Sequence, residues 1–359
     1  MLFSESQTNQ ALDRRHKIKS NIICHRTGVI NAPVLFCSKI YDVNISSIKE
    51  VKQMTNEKNF RKVISYIPDR IATELKNLPD ESVGMINEIR LRINRPVIIS
   101  MSGRNFFLSY GGRFSENPHN AVTADASDIN GAFRAVCDYS VHSYQRQISD
   151  GYITIEGGNR VGICGTAVST DNNVDTLKYI SGLNFRISGQ VNGCGKKICD
   201  RLFSDKPVGL LVIGPPLSGK TTVLKDICRT LGNRFKVSVI DERSEIGAVY
   251  HGQPQNDIGI MTDVFDSYPK ESGITTAVRV MSPDIIVCDE IGGRADCKAI
   301  MNAVSSGVRF IATAHGNSIE EIKSNRHMSE LIATGIFQYY VLLGSGTHIG
   351  EIMLVRKIC

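Results

Sequence analysis

Apolar positions along the chain change their period more than once, and these changes suggest how it divides. Residues 1–50 sustain no period of either kind. From Phe60 to Leu78, apolar side chains recur at Val63, Ile64, Ile67, Ile71 and Leu75. That is the spacing of one helix face, and Pro68 must kink or divide the helix. Between Ile86 and Ile99 the period drops to two. Ile89, Leu91 and Ile93 alternate with Glu88, Arg90 and Arg92, which predicts a strand with one charged face. Helical spacing returns after Asp125, which together with Ser127 offers a capping side chain to a run through Phe133 and Val136. Tyr152–Glu156 and Asn159–Gly165 are short β-rich runs joined by Gly157-Gly158, a hairpin signal. Leu183–Ile187 reads as one further strand. Residues 51–200 therefore predict a small α+β domain.

Beyond about Gly195–Lys206 the pattern becomes strand–helix alternation. Val208–Ile213, Lys236–Ile240, Ile285–Cys288 and Arg309–Thr313 are nearly continuous apolar runs, and a helical period opens at Gly219. Unbroken apolar strands separated by helices indicate a parallel sheet buried on both faces. Residues 201–359 thus predict an α/β domain following the smaller α+β one.

Within that alternation, Gly214-Pro215-Pro216-Leu217-Ser218-Gly219-Lys220-Thr221 matches the phosphate-loop (Walker A) pattern in full and is followed by Thr222. It follows an apolar strand and opens an apolar-periodic helix (Val223, Leu224, Ile227), the context the chemistry needs. Glycines let backbone N–H groups curl around an anion, and the helix N-terminus adds partial positive charge. Lys220 can reach the β- and γ-phosphates of ATP, and the Thr221 hydroxyl can complete a Mg²⁺ shell.

Three apolar strands end in polar groups that parallel pairing would gather beside this loop. One ends at Asp289-Glu290, suiting a metal-orienting acid and a water-polarising one. A second ends at Asp241-Glu242-Arg243, where a charged loop that merely caps a helix is the competing reading. The third ends at Thr313-Ala314-His315, placing a hydroxyl and an imidazole where a γ-phosphate could be sensed.

Composition changes this picture little. The 359 residues are 42% hydrophobic and 22% charged, enough for sizeable cores and unlike a disordered or fibrous chain. The net charge of +6 permits an anionic partner without demanding one, and residues 1–50 read as a basic, poorly ordered arm. Ten cysteines are scattered, with no C-x-x-C pair, and most, such as Cys164, Cys228 and Cys288, lie in apolar runs where a thiol behaves as a small hydrophobe. A reducing, cytoplasmic setting follows. No apolar run reaches 18 residues, so no transmembrane segment is expected.

In their order, these motifs resemble those of the secretion-type ATPases that power type II secretion and type IV pili. Those proteins combine a phosphate loop, an acidic box, a strand ending in a catalytic Glu, and a Thr–His box. The resemblance is closer still to the sporulation branch of that superfamily, the stage III sporulation protein AA family. It runs through Glu88–Arg92, Arg95-Pro96, Gly151–Ile155, Gly158–Gly162, Leu183–Ile187, Val239–Ile246, Asp257–Gly259, Thr262–Val264, Tyr268–Lys270, Met281–Asp284 and Ala312–Gly316. It spans about residues 55–355. Met261 stands where the family usually has Arg, and Gly293 is an extra glycine.

The resemblance implies a RecA-like, Mg²⁺-dependent ATPase domain behind the α+β domain, assembled as a homo-oligomer, a hexameric ring. It implies a motor on the mother-cell face of the channel to the forespore, docked on membrane proteins encoded in the same operon. By motif position, Glu290 would position the attacking water, Asp289 and Thr221 would serve the metal, Glu242 would support metal and water, and His315 would sense the γ-phosphate. An arginine acting between subunits would be Arg160 or Arg186, with Arg279 and Arg294 as alternatives. Two competing readings are a nucleotide-gated scaffold with negligible turnover and a nucleic-acid motor of the recombinase or helicase type. The latter is disfavoured by an aromatic content of 7% with no Trp, so no nucleic-acid partner is expected. A small-molecule kinase is a more distant possibility.

Overall fold

A computed structural model describes residues 56–170 and 173–358, and the expected basic arm, 1–50, lies outside the described residues. Two seven-stranded sheets organise the rest. The first is antiparallel throughout and contains β1 (Ile86–Arg92), β2 (Ile98–Met101), β3 (Arg104–Ser109), β4 (Arg113–Ser115), β5 (Tyr152–Ile155), β6 (Asn159–Thr170) and β7 (Asn173–Arg186). Their order across the sheet is β4-β3-β2-β1-β7-β6-β5.

The helical run ahead of this sheet is divided where Pro68 stands, into residues 56–64 and Asp69–Lys76, with Pro68 as N-cap of the second piece. A proline can begin a helix but cannot continue one, because it lacks an N–H and its ring clashes with the preceding turn. Phe60, Val63, Ile64, Ile67, Ile71 and Leu75 are all buried, as the period requires. Helix Ala126–Val136 starts at Asp125, which accepts from the Asp128 N–H at 2.9 Å while the Asp128 carboxylate accepts from the Asp125 N–H at 2.9 Å. This reciprocal box satisfies two N–H groups that the helix leaves open.

The run Ile86–Ile99 is not one strand. It turns at Ile93-Asn94, where Asn94 takes a positive φ of 54°, passes through Arg95-Pro96 and doubles back so that Ile89 faces Ile99. Alternation survives such a reversal, because both arms keep the same face buried, and asparagine tolerates the left-handed turn. The strand expected at Leu183–Ile187 is the end of the longer β7. Cys164 corrects another expectation: it is exposed, whereas Cys228 and Cys288 are buried.

The second sheet contains β8 (Leu210–Gly214), β9 (Val237–Asp241), β10 (Thr262–Asp266), β11 (Ile285–Cys288), β12 (Arg309–His315), β13 (Tyr339–Leu343) and β14 (Ile352–Lys357). Its order is β10-β9-β11-β12-β8-β13-β14, and every pairing is parallel except β13 with β14. Alternate residues of β8 enter two separate cores. Leu211 and Ile213 pack under helices Lys270–Val280, Arg294–Ala303 and Arg326–Ala333, whereas Leu210 and Val212 pack under helices Lys196–Leu202 and Lys220–Leu231. Burial on both faces is why these strands read as unbroken apolar runs.

Parallel order has one further effect. β8, β9, β11 and β12 all end at the same edge, carrying Gly214, Asp241, Cys288 and His315. The segments that follow them share that edge.

Candidate functional site

The phosphate loop leaves β8 at Gly214 and enters helix Lys220–Leu231 through Gly219, which has φ 87°. Leu217 also has a positive φ, 63°, and is exposed. With two left-handed residues so close together, the loop curls back over its own helix N-terminus. A Cβ on Gly214 would come within 2.4 Å of Ser218 Oγ, so the turn closes only around a glycine. The Ser218 hydroxyl is buried without a hydrogen-bond partner among the described residues, an orphaned donor inside a nest shaped for an anion.

Lys220 is buried and folds back over the loop, donating from Nζ to the carbonyls of Gly214 and Pro215, both at 2.9 Å. Burial pushes its ammonium below the usual lysine range, against the pull of Asp289 and Glu290. Its third neighbour is His315 Nδ1, at 3.0 Å. An ammonium has no lone pair to offer, so Nδ1 accepts and the ring proton sits on Nε2. That nitrogen lies 2.8 Å from Glu290 Oε1.

Thr221 donates to Asp289 Oδ2 at 2.8 Å, bringing together the two side chains expected at a metal. Thr313, fully buried on β12, donates to the Asp289 carboxylate and accepts the Glu290 N–H at 2.8 Å. Its hydroxyl therefore supports the turn after β11. Glu290 itself has φ 46°, a strained value for a non-glycine residue. Its second oxygen, Oε2, pairs with Arg243 Nη1 at 3.0 Å.

The two acids of the acidic box have different partners, and Asp241 holds the loop that follows it. Asp241 accepts three backbone N–H groups, from Glu245 at 2.7 Å, Ile246 at 2.9 Å and Gly247 at 2.8 Å. Burial pushes this carboxyl up from the usual range while the three N–H groups oppose that shift. Glu242 pairs with Lys270 at 2.7 Å. Glu242, Arg243 and Lys270, with Glu290 and His315, line a cavity of about 600 Å³ next to the phosphate loop.

The segment after Asp241 also meets the first sheet. The Arg243 carbonyl accepts from Tyr152 Oη at 3.1 Å and from the Arg160 guanidinium, which also pairs with Glu245 at 3.1 Å and lies over the Tyr152 ring. Gly157 N–H donates to Gln255 at 2.9 Å. A Cβ on Gly158, at φ 72°, would stand 2.9 Å from Ala248 Cβ. Further along, Asp138 accepts from Tyr250 at 3.1 Å and lies 2.9 Å from His251.

Of the expected interfacial arginines, Arg160 is thus tied within its own chain. Arg186 lies opposite Arg160 in the β6–β7 register, is exposed, and has no ion pair among the described residues. Neither reaches the phosphate loop of this chain through any hydrogen bond. Of the alternatives, Arg279 lies in the last turn of helix Lys270–Val280 and Arg294 begins helix Arg294–Ala303. The extra Gly293 is the N-cap of the latter, and Met261 joins the main chain of β9 by accepting the Val237 N–H.

The donor set suits magnesium: a hydroxyl and a carboxylate, both hard oxygen ligands, leave room for water and phosphate oxygens. Among the described residues no group of three His, Cys, Asp or Glu side chains is arranged to cage a metal. No helix among them is long and apolar enough to cross a membrane.

A solved structure of the pilus retraction motor PilT with bound ADP is similar in fold. It aligns with a TM-score of 0.52 at 15% identity, over 77% of this chain and 79% of that one. Phosphate loop, strand order and this likeness together define a P-loop protein with a RecA-like fold. Within that class the chain belongs to the family described as sporulation stage III, protein AA, whose pattern matches residues 56–357. Stage III sporulation protein AA of Bacillus subtilis (strain 168) is 32% identical over 295 residues, 79% of this chain and 92% of that protein. The uncharacterized protein ycf45 of Porphyra purpurea is 31% identical over 191 residues, 52% of this chain and 33% of that one.

Arg243 is the site residue that sequence reasoning passed over. Its signal was present, an arginine directly after two acids at a strand end, but the acids drew the chemical assignment.

Proposed function

We propose that this chain hydrolyses ATP and works as the ring motor of a sporulation channel, on the mother-cell side of the membrane and docked on partner membrane proteins. One observation carries the reading. The phosphate loop, the Thr221–Asp289 pair and the Lys220–His315–Glu290 chain of contacts converge at one edge of the parallel sheet.

ATP phosphates replace the loop carbonyls as partners of Lys220, with Gly214–Thr222 wrapping them and Ser218 gaining the acceptor it lacks. Magnesium, when bound beside Thr221 and Asp289, supplies positive charge at the β- and γ-phosphates. Glu290 has one bond on each oxygen, which leaves lone pairs free to orient a water for in-line attack. His315 touches both Lys220 and Glu290, so loss of the γ-phosphate from Lys220 is felt at the base. Glu242 supports the site through the Lys270 pair.

Arg186 is the better finger of the two expected ones, because Arg160 is already paired. Residues 51–200 act as one moving unit against 201–359, and rings of six place Arg186 at the next subunit's phosphates.

The test is ATP turnover per subunit across a wide range of protein concentration, with Glu290→Gln as the blank. Activity that rises with concentration and vanishes in the variant supports the ring ATPase. Activity independent of concentration removes the ring, and no activity above the blank leaves a nucleotide-gated scaffold. Lys220→Ala should abolish ATP binding, and unchanged affinity would refute the site.

A further inference from the structure

The strained backbone of Glu290 needs a support. Its N–H is fixed by Asp289 and Thr313 at 2.9 and 2.8 Å. Its side chain is bracketed by His315 and Arg243, one on each oxygen. His315 stands on β12, in the same sheet. Arg243 does not: it lies in the segment after β9, whose main chain is clasped by Tyr152 and Arg160 of the first sheet.

The Arg243–Glu290 pair is mostly exposed, with side-chain accessibilities of 67% and 42%. An ion pair so open to water adds little to folding. Its value must lie in where it holds the carboxylate.

We infer that Arg243 is a positioning residue for Glu290, and that the β5–β6 hairpin sets its position by gripping the Arg243 carbonyl. The inference rests on the ATPase reading for its catalytic meaning and on geometry alone for the link itself. The path is short and continuous. Tyr152 and Arg160 hold the carbonyl, the Arg243 guanidinium holds Glu290, and Glu290 touches His315, which touches Lys220. A movement of the first sheet therefore reaches the base through one residue's main chain and side chain. No contact between that sheet and the phosphate loop is needed.

Three variants test this: Arg243→Ala, Arg243→Lys and Tyr152→Phe, the last removing only the hydroxyl. Misplacing a water-orienting carboxylate should lower kcat about ten- to hundredfold in Arg243→Ala, with the KM for ATP unchanged. Arg243→Lys, which keeps a cation on the same stem, should recover a measurable part of the loss. Tyr152→Phe should cause a smaller loss, and the Tyr152→Phe/Arg243→Ala pair should lose no more than Arg243→Ala alone.

Unchanged kcat in Arg243→Ala overturns the inference, as does a raised KM at unchanged kcat, which would make Arg243 a nucleotide contact. Additive losses in the double variant remove the hairpin from the path. A second readout is independent of turnover. Hydrogen exchange across residues 286–294 should quicken in Arg243→Ala and, less so, in Tyr152→Phe. Exchange at the parent rate in both overturns the link even if the protein hydrolyses no ATP. Quickened exchange in a protein without turnover keeps the link and discards only the ATPase reading.

Discussion

Replacing Asp241 with asparagine separates a structural acid from a chemical one. The carboxylate is 2% exposed and receives three N–H groups, the Glu245 N–H on Oδ1 and those of Ile246 and Gly247 on Oδ2. An amide can keep its oxygen toward Ile246 and Gly247 only by turning its NH₂ toward Glu245, where two donors then face each other. One charge-assisted bond is lost with its donor left buried, and two more weaken from charged to neutral acceptors. The orphaned group costs roughly 1–3 kcal/mol, while the weaker bonds to a neutral oxygen are offset because no charge is buried any longer, so the loop loses about 2 kcal/mol. If that loss falls on local opening, amide exchange in residues 244–248 should quicken about thirtyfold, because each 1.4 kcal/mol is tenfold. The assay is hydrogen exchange resolved by mass spectrometry, run beside ADP titration. ADP affinity should stay within about twofold, since no contact of Asp241 reaches the phosphate loop. Parent-like exchange together with a large loss of ADP affinity would refute the reasoning and make Asp241 a nucleotide-site residue.

Other outcomes follow from the same contacts. Gly158→Ala should lower thermal stability by about 1–3 kcal/mol, since a methyl must fit 2.9 Å from Ala248 Cβ at a positive φ, and an unchanged Tm would refute the close approach. Thiol labelling with peptide mapping should modify Cys164 quickly and spare Cys199 and Cys288, whose thiols burial pushes up to about 12. Labelling of all three at one rate would contradict their burial. For Asp138, burial alone would raise the carboxyl, but hydrogen bonds from Tyr144, His251 and Tyr250 outweigh it and hold the value below normal. A carboxyl depressed in the folded state stabilises fully above its unfolded value, about pH 4, and loses that contribution as pH falls through the folded value. Asp138→Asn should therefore flatten the acid limb of a stability–pH curve, and an unaltered limb would refute the assignment.

Contiguous chemistry was legible. The phosphate loop is one unbroken string between a strand and a helix, so its fold context could be checked residue by residue. Asp289, Glu290 and His315 were legible at one remove, because parallel strands that end in polar groups must end at one edge. Arg243 was not, since its partner lies 47 positions away and no periodicity links the two. The reversal at Asn94 was hidden by alternation that holds on both arms. β10 was missed because its residues are only half buried, and β13 because five apolar residues do not distinguish a strand from a buried helical turn. The length of β6 and β7 escaped for the same reason as β10: much of the ribbon is open to solvent and carries polar side chains.

The strand order has a consequence for how the chain is made. β8 carries the phosphate loop, yet its two neighbours are β12 and β13, which the ribosome delivers far later. At about 5–20 residues per second, the roughly 100 residues between β8 and β12 take about 5–20 s to emerge. Throughout that interval the Leu210–Ile213 run has no sheet to join, and helix Lys220–Leu231 has only half its floor. Nascent chains of this protein therefore present a wholly apolar strand well before they can pair it on both sides. The phosphate loop, which leaves β8 at Gly214, can therefore take its final shape only after β12 and β13 have been made.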